Sequence, residues 1–157
     1  MTNLGNRVRG SVALVTCKDC HSQFPRFEFE TETDVGAIGF CSASSCNQLK
    51  LVIAETTLDE WNALSSGELV SLPPRLSDEA GERDLHVLHV KRIDKGPQIP
   101  AGLPFAEFRK LYRRPTVIYD CPCCGTGEAI ESEELTVTEF EARGGHIRAL
   151  GNLYLER

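Results

Sequence analysis

The chain has 157 residues, 41% hydrophobic and 25% charged, proportions that suit a soluble globular protein able to bury a core. Its 17 basic and 23 acidic residues leave a formal charge of −6, which argues against non-specific wrapping of nucleic acid but leaves room for a local basic patch. The longest apolar runs, such as residues 51–54, fall far short of the roughly 20 residues needed to span a bilayer, so no membrane partner is expected.

That length fits a single domain over 1–157, with sub-modules at 11–56 and 57–157. Residues 1–10 read as a loosely held polar start. Arg7 and Arg9 precede an apolar stretch at 12–16 that is short for the h-region of an export signal and reads as a strand. Without export, seven cysteines imply a reducing compartment, by default the cytoplasm, where metal ligation outranks disulfides. The strand delivers Cys17 and Cys20 into a tight turn. Residues 24–32 then alternate, Phe27 and Phe29 on one face and Glu28 and Glu30 on the other, as in a strand with one wet side. Residues 35–40 return towards Cys41 and Cys46, and 49–54 form the next strand.

Strand, thiol turn, strand, second thiol pair, strand is the order in which a zinc ribbon is assembled, and residues 11–56 resemble that broad group of modules. The fold class expected is α+β: antiparallel zinc-ribbon-like strands with three short helices. Thr57 and Glu60 have capping-box spacing for the first helix, whose stripe is Leu58, Trp61 and Leu64 and whose stop is Gly67. Residues 71–81 read as a loop, 84–94 as a strand with His86 and His89 on opposite faces, and 95–104 as a second loop. Pro104 opens another helix with Phe105, Phe108, Leu111 and Tyr112 on one face and Arg109, Lys110, Arg113 and Arg114 on the other. After the Pro115 stop, residues 116–120 form a strand that runs into Cys121-Pro122-Cys123-Cys124-Gly125. Thr136 and Glu139 offer the last capping box, Phe140 faces inward, and 147–155 read as a final strand. The run Glu131, Glu133, Glu134, Glu139 and Glu141 reads as a solvated face.

Two thiolates two residues apart reach one zinc ion while neighbouring amides stabilise their charge, so Cys17, Cys20, Cys41 and Cys46 are the preferred closed, structural ligand set. Cys121 and Cys124 match the Cys-Pro-x-Cys-Gly turn common in zinc ribbons but supply only two ligands. They either join Cys17 and Cys20 around one ion, or hold a second ion completed by histidines drawn from His86, His89 and His146, or are left without a metal. The shared site ranks second. Cys123 reads as a spare thiol. A weak internal similarity pairs residues 12–20 with 116–124, each an apolar strand running into Cys-x-x-Cys.

Cys17 to His21 also fits the c-type haem attachment pattern, but Met1 is the sole methionine, leaving no usual axial partner, so no haem is expected. Cys-Pro-x-Cys resembles glutaredoxin-like motifs, yet Gly125-Thr126-Gly127 is a poor helix start, which makes thiol redox chemistry the least favoured class. No phosphate-cradling loop, nucleophile elbow or HExxH helix is present, so enzymatic activity has no positive support. The leading function is a non-catalytic zinc-binding adaptor that recognises a protein. The alternative is a nucleic-acid-binding accessory factor acting through Arg109, Lys110, Arg113 and Arg114.

Overall fold

The computed structural model describes residues 6–30, 39–82 and 84–156; the expected return of the chain at 35–38 and the basic residue Arg83 lie outside that range. In chain order the described elements are β1 (Asn6–Val8), β2 (Gly10–Cys17), β3 (Gln23–Phe29), β4 (Gly39–Ser44), β5 (Lys50–Thr56), α1 (Leu58–Ser66), α2 (Pro74–Ala80), β6 (Val90–Asp94), α3 (Phe105–Leu111), β7 (Thr116–Asp120), β8 (Glu128–Thr136), α4 (Val137–Ala142), β9 (His146–Ala149) and β10 (Leu153–Leu155).

These strands form three sheets, a five-stranded one ordered β3-β2-β8-β7-β6, a three-stranded one ordered β4-β5-β9, and the pair β1-β10. This overturns the expected zinc ribbon. The hairpin β2–β3 does not continue into β4–β5; it pairs through β2 with β8, more than a hundred residues away in sequence, while β4 and β5 belong to a separate sheet closed by β9. The ribbon order along the chain is therefore not a ribbon in space. There are also four described helices instead of three, because α2 forms where a Pro- and Ser-rich loop was expected. Pro74 opens that helix at a position needing no N–H, Leu76 and Ala80 point inward one turn apart, and Gly81 closes it with φ +73°. The expected strand over 84–94 is regular only at β6; His86 makes isolated bridges to Ser44 and Ser71.

The decisive element is β8. Its sequence, Glu-Ala-Ile-Glu-Ser-Glu-Glu-Leu-Thr, is too acidic to announce a central strand, yet it pairs with β2 along most of its length and with β7 at its start. Ala129 and Ile130 pair with both β2 and β7, and beyond Ile130 the strand pairs with β2. Glu133 finds the Arg143 guanidinium in a two-pronged contact, both prongs at 2.7 Å. Ala129 and Leu135 are buried, one on each side of the register shift opposite Leu14 and Val15.

Three clusters of apolar side chains hold the sheets together. The largest joins Val12, Phe27, Leu51, Ile53, Phe140 and Ile147 from both larger sheets and α4. A second packs α1 and α2 onto β4 and β5 through Ala43, Ala54, Leu64 and Leu76. The smallest, Val15, Phe24, Tyr119 and Ala129 with Cys17 and Cys121, lies at one end of the five-stranded sheet.

Both expected capping boxes are present, at Thr57 with Glu60 and at Thr136 with Glu139. Glu60 also accepts two hydrogen bonds from Arg75 at 2.7 and 3.1 Å and so ties α1 to α2. Partial burial works against its charge, but Arg75 and the Thr57 amide outweigh that and hold its carboxyl below the ordinary range. A carboxyl lowered in the folded state stabilises the fold above its unfolded pKa and loses that contribution as the pH falls through the folded value. Glu60→Ala is expected to cost about 1–2 kcal/mol in urea unfolding at pH 7, and much less near pH 3. An equal cost at both pH values would show that the charge of Glu60 is not what α1 and α2 use.

Candidate metal centre

Strands β2 and β7 both run antiparallel to β8 and flank it, so they are parallel to each other. Register brings Cys17 and Tyr119 opposite the same residue, Ala129, from its two sides. Each strand then enters a tight thiol turn at the same end of the sheet. In the first turn the His21 amide donates to the Cys17 carbonyl at 3.1 Å, and in the second the Gly125 amide donates to the Cys121 carbonyl at 3.0 Å. Lys18 N–H donates to the Glu128 carbonyl at 2.8 Å and Glu128 N–H to Asp19 Oδ2 at 3.1 Å, stitching the two turns together. The internal similarity between residues 12–20 and 116–124 thus corresponds to two strands, β2 and β7, that flank β8 and each run into a thiol turn.

The result is a cluster in which the Sγ atoms of Cys17, Cys20, Cys121 and Cys124 all lie within 4.8 Å of one another. Cys17 and Cys124 are 3.9 Å apart and Cys20 and Cys121 3.6 Å. Four sulfurs each about 2.3 Å from a shared tetrahedral zinc stand about 3.8 Å from one another. Disulfide bonding would need about 2.0 Å. These sulfur–sulfur distances are metal-site distances.

The surrounding backbone is arranged for negative sulfur. Cys17 Sγ accepts from the amides of Asp19 at 3.4 Å and Cys20 at 3.5 Å, and Cys124 Sγ from Gly127 at 3.1 Å. The Ser22 hydroxyl, 3.2 Å from Cys20 Sγ, and the Ser22 backbone hold that thiol down to about 6. The Thr126 amide lowers Cys124, whereas burial pushes Cys121 up to about 12 despite the amides of Cys123 and Cys124. Four thiolates so close repel one another, so their full deprotonation requires a cation among them. Cys17 and Cys121 are buried and Cys20 and Cys124 exposed, so the cluster sits at the surface with its inner half anchored in the core.

The remaining sequence candidates lie elsewhere. Cys41 stands in the middle of β4, facing the α1–α2 cluster, where burial and the Glu60 carboxylate push its thiol up to about 12. Cys46 is joined to Cys123 in a disulfide with a Cα–Cα separation of 6.2 Å. The structure therefore brings Cys17 and Cys20 together with Cys121 and Cys124, and does not bring Cys41 or Cys46 to them. His146 is exposed at the start of β9, where it lines a recess with Lys50 and Glu82, outside the thiol cluster. His89 Nε2 lies 3.1 Å from the Leu69 carbonyl. Arg109, Lys110, Arg113 and Arg114 are all exposed on or just after α3.

Gly127 also belongs to this site. A Cβ on it would lie 2.3 Å from Cys17 Sγ and 2.7 Å from Cys124 Sγ. The Gly-x-Gly at 125–127 was the visible signal, read only as a poor helix start. No helix among the described residues is long and apolar enough to cross a membrane. Comparison with protein-family models, with curated proteins and with solved structures finds no match to this chain.

Proposed function

We propose that this protein is a non-catalytic zinc-binding adaptor, in which one Zn2+ held by Cys17, Cys20, Cys121 and Cys124 locks two hairpins into a fixed platform for a protein partner. The four-sulfur cluster carries the reading. All-thiolate coordination favours zinc, and four protein ligands fill a tetrahedral shell with no position left for water, so the ion is structural.

The adaptor part rests on the excursion that leaves the sheet at β6 and returns at β7. Phe105 is 74% exposed and Tyr112 48%, with Phe108 and Leu111 also open, and no residue of α3 is buried. Residues 90–114 hold seven basic and two acidic side chains, a net +5, which leaves −11 on the rest of a chain whose total is −6. An apolar helix face edged with guanidinium groups suits an acidic protein surface with an apolar seat. The same charge separation supports nucleic acid as the second reading.

Elemental analysis of purified protein tests the metal. One zinc per chain is expected, lost in Cys17→Ser and Cys121→Ser and retained in Cys41→Ser. Retention in Cys121→Ser, or loss in Cys41→Ser, would overturn the ligand set. Titration with a random single-stranded oligonucleotide at low salt separates the two readings: binding that weakens steeply as salt rises favours nucleic acid, and none at low salt favours the protein adaptor.

A further inference from the structure

The turn between β4 and β5 belongs to a different sheet from the thiol turns, yet it grips both. On the first turn, the Asn47 amide donates to the Gln23 carbonyl at 2.9 Å, the Gln23 amide donates to Asn47 Oδ1 at 3.0 Å, and Asn47 Nδ2 donates to Ser22 Oγ at 3.5 Å. Ser22 Oγ is the group beside Cys20 Sγ. Asn47 adopts φ +60°, a left-handed conformation that asparagine tolerates better than most residues. On the second turn, its neighbour Cys46 is bonded to Cys123, which lies between the ligands Cys121 and Cys124. Cys123 is exposed and Cys46 half-buried, so a reagent meets Cys123 first.

We propose that Cys46 and Cys123 form a reversible thiol–disulfide site whose closure slows loss of the metal from the adjacent four-cysteine centre, a role that rests on the zinc reading above. Closure joins the two sulfurs and transfers two electrons and two protons to a small disulfide such as glutathione disulfide, which leaves as two thiols. Opening runs in reverse. A reductant thiolate attacks Cys123 Sγ and forms a mixed disulfide, Cys46 leaves as thiolate and takes a proton, and a second reductant thiol frees Cys123. The metal escapes when the two turns separate. With the bond closed, the turn that hydrogen-bonds the first pair of ligands is covalently tied to the second, so separation must also break the Asn47 clip or distort β4–β5. With it open, the second turn moves free of that brace.

The experiment compares zinc-loaded wild-type protein after treatment with glutathione disulfide or with a non-chelating phosphine, following zinc transfer to a chromogenic chelator. Release about tenfold faster from the reduced protein is expected, with Cys46→Ala at the fast rate under both treatments. A peptide map of the oxidised protein should show the 46–123 cross-link. Equal rates in oxidised and reduced wild type, or no cross-link after oxidation, would overturn the proposal; both readings use wild type and survive a poorly folding variant. Hydrogen exchange at residues 18–24 and 122–128, measured in the same two states, isolates the brace from the metal. Protection that depends on redox state in a protein that binds no zinc in either state would sink the metal reading and keep the brace, and protection indifferent to redox state would sink the brace.

Discussion

If the proposed zinc fills the four-cysteine centre, stripping it with a chelator at pH 7 is expected to open one end of the molecule while leaving the rest folded. Zinc binding contributes on the order of 10–16 kcal/mol of apparent free energy in small zinc-finger peptides, where the fold has little else. Here two of the three apolar clusters, including the largest, contain no metal-site cysteine. The third is built around Cys17 and Cys121 and draws on four other buried residues, Val15, Phe24, Tyr119 and Ala129. Once the cation leaves, the cluster must reprotonate thiols whose amide donors were placed for thiolates, and the two turns lose what holds them against each other. The loss is therefore local: amides at 17–24 and 119–129 should lose hydrogen-exchange protection by several kcal/mol, while those at 51–54 and 147–149 keep theirs. Lowering the pH should do the same without chelator. Thiolates ligating the proposed ion would be stabilised by it, so their contribution would be present at high pH and lost as protons compete for sulfur. Uniform loss of protection would mean that the centre supports the whole fold; unchanged protection would mean that no ion holds the turns.

Local signals were legible in this sequence and long-range pairing was not. The two Cys-x-x-Cys turns are visible because both sulfurs of each must reach one point, and both capping boxes because side chain and amide lie three residues apart. Cys41 and Cys46 were misleading since their proximity in sequence resembles a second turn. Cys41 is in fact the third residue of β4, on the buried face it shares with Ala43, and Cys46 follows the strand's end. Small residues alternating at Gly39, Cys41 and Ala43 were a packing signal, since that face receives Trp61 against Gly39 and α1 and α2 against the others. The partner that unites the thiol turns, β8, was hidden by its glutamates, which strand propensity disfavours and a wet sheet face accepts. Nor do residues 128–136 alternate, because Ala129, Glu131, Glu133 and Leu135 share one parity and the bulge opposite Leu14 and Val15 breaks the period, so no local pattern announced the strand.

Gly127→Ala is expected to abolish high-affinity zinc binding while the protein remains folded. The added methyl would occupy space 2.3 Å from Cys17 Sγ and 2.7 Å from Cys124 Sγ, with Asp19 Oδ2 at 3.1 Å on its third side. These are fixed neighbours: Cys17 is wholly buried at the end of β2, and Gly127 is held by its amide to Cys124 Sγ and by its carbonyl to the Cys121 amide. To admit the methyl, sulfur from the first turn must part from sulfur of the second. A displacement on the order of 1 Å takes a ligand well outside the ±0.2 Å that a zinc–sulfur bond tolerates. Affinity should fall by about a hundredfold, the upper end of the roughly 10–100-fold that losing one orienting contact costs a metal site. Gly125→Ala is the control. It has φ +79° with nothing within 4 Å of the new Cβ, so its cost is backbone strain of about 1–2 kcal/mol with the sulfur cluster left open. The two variants separate space from strain. If the thiols form the metal site, Gly127→Ala loses zinc and Gly125→Ala keeps it at somewhat lower stability. If both retain one zinc per chain, the ion is held elsewhere and the four-sulfur assignment fails.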